Sequence, residues 1–119
     1  MKSKELNQLL TTNIKNIKEG YLEEISWQDG EDTGSHIIFG DVFAPYIIKC
    51  LQDNNETEIK ICFSFIENIL NKNDDYIIEV ILFSVLERLA FEKTNQILLK
   101  KHMFPNTAKY YNEIIAKMG

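Results

Sequence analysis

Apolar residues recur at steps of three and four along most of this chain, the repeat of a helix that buries one face. Leu6, Leu9, Leu10, Ile14 and Ile17 follow it, with Ser3 placed to cap a first helix over 3–18 and Gly20, or a point just past Leu22, to end it. Asp41 is placed to cap a second helix running toward Asp53, with Pro45 in its first turn, where a missing N–H is little loss. Asn55 and Glu58 have the spacing of a capping box ahead of a third helix that ends near Asn71. A fourth opens at Asp74 or Asp75 and runs to Phe91. It is apolar on nearly every side (Ile77, Ile78, Val80, Ile81, Leu82, Phe83, Val85, Leu86, Leu89), so it is expected at the centre as the most buried helix. Shorter helices are expected over 94–101 and 107–118, the last with Tyr111, Ile114, Ile115 and Met118 on one face.

Two stretches carry a strand signal. Ile59-Lys60-Ile61-Cys62-Phe63-Ser64-Phe65 alternates in part, but it continues into Ile66-Glu67-Asn68-Ile69-Leu70, and a run of about four turns favours helix. His36-Ile37-Ile38-Phe39 reads as a short strand at the end of the one long loop, an acidic segment at about 26–38 with two glycines and no periodicity. The expected fold is all-α: a single-domain helical bundle over 1–119 of about five or six helices. Consecutive helices joined by the short turn at 71–75 form HEAT-like antiparallel pairs.

An internal echo supports that pairing. Phe63-Ser64-Phe65-Ile66-Glu67 returns twenty residues later as Phe83-Ser84-Val85-Leu86-Glu87, each copy late in its helix. Phe65-Ile66-Glu67, Leu70, the acidic turn Asp74-Asp75, Val80 and Val85-Leu86-Glu87-Arg88-Leu89 together resemble small helical bacterial proteins similar to the immunity proteins that accompany polymorphic toxins. The resemblance covers roughly 41–91. It implies a small HEAT-like bundle and tight binding of a cognate toxin, and it assigns no site residue, since Glu67 and Glu87 are equally expected as structural groups.

Charge changes the picture more than composition does. Residues 21–58 hold nine carboxylates against one cation, Lys49, a formal −8 in a chain whose total is −5, so the remainder is mildly basic. Such clustering repels itself and calls for a positive counterpart. That counterpart is a basic partner protein, the basic C-terminal end of the same chain, or a second copy in a head-to-tail dimer. At 45% apolar and 26% charged residues the chain has the makeup of a globular domain. No secretory signal or continuous apolar span is read from it, and Cys50 and Cys62, without CxxC spacing, read as free buried thiols of a reducing cytoplasm.

No catalytic, metal or cofactor pattern emerges. His36 and His102 lack ligand neighbours at zinc spacing, the 29–35 loop lacks the ligand order of an EF-hand, and Ser64 and Ser84 sit outside any Gly-x-Ser-x-Gly elbow. The acidic balance disfavours nucleic acid, with Lys93, Lys100, Lys101, His102 and Lys109 as a local basic exception beside Tyr110 and Tyr111. The expected role is therefore binding of a basic protein, a toxin in the most concrete version. Glu23, Glu24, Asp29, Glu31 and Asp32 would steer that partner onto Trp27, the single tryptophan. A regulatory or scaffolding adaptor using the helical surface is the alternative, a small enzyme, for which no site is found, is the third class, and Trp27 as a core anchor for the loop stays open beside Trp27 as an interface residue.

Overall fold

The computed structural model describes residues 1–92 and 96–118 and holds seven helices with no strand among them. They are α1 (Ser3–Asn13), α2 (Lys18–Trp27), α3 (35–52), α4 (Glu56–Leu70), α5 (75–91), α6 (Gln96–Lys101) and α7 (Pro105–Met118). One continuous apolar core, from Leu6 to Tyr111, draws on all of them except α2, and the radius of gyration of 13.4 Å matches the roughly 13.5 Å of a compact chain of this length.

The two capped central helices form as their sequences direct. Asn55 accepts the Glu58 N–H at the start of α4, and Asp74 accepts the N–H groups of Tyr76 and Ile77 at the start of α5. The capping box is only half made, because the Glu58 carboxylate turns away from Asn55 to take the Tyr46 hydroxyl at 2.6 Å and the Asn16 amide at 2.9 Å. Asn73 closes the preceding turn in the left-handed region, at φ 54°, a conformation that asparagine tolerates.

Several expectations are corrected. The first helix stops at Asn13, and a 3-10 turn (Lys15–Ile17) re-aims the chain into α2, which runs through Gly20 to Trp27. Gly20 is not a terminator: it lies inside α2, where a Cβ would make only an ordinary van der Waals contact, 3.5 Å from Val42 Cγ1. Ser3 is the first helical residue rather than the cap, and its hydroxyl joins Tyr76 at 2.6 Å. His36-Ile37-Ile38-Phe39 is helical, since Ile38 and Phe39 are both fully buried, which a one-faced strand would not allow. The loop thereby shortens to 28–34. The expected start of the sixth helix at Thr94 lies outside the described residues.

Asp41 caps nothing, for it lies inside a helix already under way. α3 comprises Ser35–Ile38, a π-helical turn at Phe39–Phe43 and Ala44–Gln52. Pro45 explains the wide turn: a proline inside a helix lacks its N–H and crowds the carbonyl four residues back, and the widened turn just upstream relieves that crowding. A second π turn, Ile81–Leu86, interrupts α5 and packs against the first. Gly40 faces Ser84 there, with 3.7 Å between a would-be Cβ and the Ser84 carbonyl oxygen.

α5 is not the all-round buried centre. Phe83 and Phe91 are 61% and 67% exposed, so one side of α5 faces solvent, while α3 is covered by α1, α2, α4 and α5. The face expected on α7 is likewise split, with Tyr111 fully buried and Ile115 and Met118 partly open.

Cys50 and Cys62 are free and buried. Burial pushes both thiols above the ordinary range, Cys62 most. Thiolate is the reactive form, so we expect iodoacetamide at pH 8 to leave both unmodified in the native protein and to modify both once urea unfolds it. Intact-mass spectrometry reads the result.

Candidate functional site

The residues expected to bind a partner divide in the structure. Glu23 and Glu24 precede Trp27 by four and three residues on α2, so all three share a helix face. The wall opposite is the π turn of α3. Gly20, Glu23, Glu24, Trp27, Asp41 and Val42 line an open groove of about 300 Å³ between them. Trp27 is 65% exposed there, so it is a surface residue and does not anchor the loop in the core. Glu24 is only 8% exposed, its Oε2 accepting the Gln28 amide at 3.1 Å.

Asp29, Glu31 and Asp32 do not line this groove. All three are exposed on the 28–34 loop, and Glu31 lies 3.5 Å from Lys4. The loop is tightly built. Fully buried Thr33 accepts the Asp29 N–H at 3.1 Å, donates its hydroxyl to the Gly30 carbonyl at 2.7 Å, and gives its own carbonyl to the Asn7 amide at 2.9 Å. Gly30 holds the left-handed conformation that the turn requires, at φ 61°.

Asp41 is the groove residue that sequence reasoning misassigned. It counts among the nine carboxylates of 21–58, but as an expected helix cap it stands outside the expected partner-binding residues, and the π turn places it across the groove from Glu23 and Glu24. Two members of the basic exception near the C-terminus are paired within the chain. Lys101 Nζ and His102 Nε2 approach Glu56 Oε1 at 3.0 and 2.9 Å, and hydrogen bonds from His102 and Lys101 hold the Glu56 carboxyl below its ordinary range. Part of the acidic segment thus meets part of the basic tail within one molecule. Tyr111 is buried on Gln96, Lys109 lies over the Tyr110 ring at 5.8 Å, and Lys93 lies outside the described residues.

One polar cluster had no sequence signal. His36 Nδ1 lies 2.8 Å from Ser84 Oγ and His36 Nε2 3.7 Å from Glu79 Oε1, with the Tyr76 ring edge-on at 5.9 Å. The order serine, histidine, carboxylate is that of an acyl-transfer relay, but the carboxylate contact is longer than a hydrogen bond. Together with Arg88 Nη1 donating to the Gly40 carbonyl at 3.3 Å, these contacts tie α3 to α5 on either side of the facing π turns. Among the described residues no group of three or more His, Cys, Asp or Glu side chains forms a metal site, and no helix is long and apolar enough to cross a membrane.

The chain belongs to the family described as Domain of unknown function (DUF7674), whose profile matches residues 7–118. No curated protein and no solved structure matches it.

Proposed function

We propose that this protein is a protein-binding module of the immunity type, which neutralises a basic partner through the acidic surface around Trp27. One observation carries the reading: a tryptophan 65% exposed in a groove walled by Glu23, Glu24 and Asp41. An exposed indole costs solvation unless something covers it, and a large ring within a charged surround is the makeup of an interface hot spot. The exposed carboxylates Asp29, Glu31 and Asp32 extend the negative field beyond the groove and would steer a cationic surface toward it. A toxin with a basic, phosphate-binding cleft is a target of matching charge.

The partner recovered by affinity capture from the native host provides the test. Reversing Glu23 and Asp29 is expected to slow its association about tenfold at low salt and to flatten the salt dependence. Trp27→Ala is expected to speed dissociation by about thirtyfold or more, with an unchanged unfolding midpoint. Kinetics at two ionic strengths that are the same in every variant would remove this reading.

A second reading, an adaptor that binds through its helices, is favoured by Phe83 and Phe91, exposed two turns apart on α5. Loss of the captured partner in Phe83→Ser, with Trp27→Ala intact, would select it. A toxin-like reading frame beside the gene would select immunity.

A further inference from the structure

We infer that the groove is a receptor for one arginine side chain of the basic partner, with the guanidinium stacked on Trp27 and hydrogen-bonded between Glu24 and Asp41. This rests on the reading that the groove faces a basic protein.

Glu24 points to a missing donor. Its residue is 8% exposed, it lines the groove, and its one side-chain hydrogen bond is to the neutral Gln28 amide on Oε2. No Lys, Arg or His among the described residues lies within ion-pair distance of it. Buried acidic residues are normally paired with a cation, and this one lines the groove with only the neutral Gln28 amide on it. Asp41, exposed on the opposite wall, likewise has no ion-pair partner among the described residues.

The shape selects the cation. An open groove of about 300 Å³ has room for a single long side chain. An arginine fits its chemistry part by part: the planar face lies on the indole, the forked N–H groups reach carboxylates on two walls, and the aliphatic stem covers Val42. Lysine offers a compact point charge with no planar face to lie on the indole. The chain's one arginine, Arg88, is already held by the Gly40 carbonyl and Glu92, so a second copy is a poor source of the ligand.

Trp27 is the single tryptophan, so its fluorescence reports the groove alone. The full chain is titrated with the capped tripeptide acetyl-Gly-Arg-Gly-amide and with its lysine and citrulline counterparts. We expect a saturable change with the arginine peptide, at least tenfold weaker binding with lysine and none with citrulline. Glu24→Gln, which keeps the side-chain shape, should weaken the arginine peptide about tenfold at an unchanged melting temperature, and Asp53→Asn, on another surface, should leave it unaltered. Equal responses to arginine and lysine, no saturable response, or an unaffected Glu24→Gln protein would overturn the inference, as would sedimentation showing a dimer abolished by Trp27→Ala. A captured partner that still requires Trp27 after such a result would leave the basic-partner reading standing, and one that requires neither Trp27 nor the acidic residues would remove both.

Discussion

Phe43→Ala is expected to destabilise the domain by about 4 kcal/mol, the cost of emptying a fully buried aromatic site. Phe43 closes the π turn of α3 at 0% exposure, edge-on to Phe39 (centroids 5.7 Å apart) and to Phe65 of α4 (5.9 Å). Its loss removes two ring contacts along with the transfer term and leaves a cavity among buried neighbours. Against a typical domain stability of about 5–15 kcal/mol, this is a large share. Urea denaturation reads it as a lower midpoint at unchanged slope. Phe83→Ala is the control. That ring is 61% exposed, so a shift within about 0.5 kcal/mol is expected.

Glu67→Ala is expected to cost about 2–3 kcal/mol by uncapping a helix forty residues away. Glu67 Oε1 accepts the N–H and the hydroxyl of Thr107, both at 2.9 Å, and Oε2 accepts the Asn106 N–H at 3.1 Å, so α4 supplies the cap of α7. Thr107 is fully buried and water cannot replace the lost acceptor. The negative charge also opposes the positive end of the α7 dipole. Glu67→Gln keeps one acceptor oxygen and should lose roughly half as much. Hydrogen exchange should show α7 opening before the core of α4 and α5. Uniform exchange across the chain would contradict this assignment.

That contact also marks where the sequence stops being readable. Asn55 and Asp74 cap within three residues, so the starts of α4 and α5 were legible, and so was the all-α class from the apolar spacing. The partner of Glu67 is forty residues distant, and the same glutamate counted only as half of an echo. Glu87, the other half, has the same local setting without that role, so the echo is one of apolar spacing.

The candidate site was half legible for a similar reason. Glu23, Glu24 and Trp27 are neighbours on one helix and could be grouped by their spacing. Asp41 could not, because Pro45 was read as the start of a helix when it lies inside one. The strand signal at His36-Ile37-Ile38-Phe39 reinforced that error, since four apolar or amphipathic residues buried on two sides look alike in helix and sheet. For α5, the apolar content came from a buried row plus exposed Phe83 and Phe91, which composition does not distinguish.

The paired π turns bear on how this chain can vary in length. An ordinary α-helix that loses one residue swings everything downstream by about 100°, which would carry a buried row into solvent. A π turn already holds one residue more than the regular spiral needs. Shortening α5 by one residue within 81–86, at exposed Phe83 for instance, converts the wide turn to a regular one and leaves Ile77 and Leu89 on the same side of the rod. In α3 the surplus residue also carries Asp41 outward, so a relative one residue shorter there would keep its core and lose one wall of the groove. Loss of one residue at either position is therefore expected to leave the fold unchanged, with the groove altered on α3 and untouched on α5.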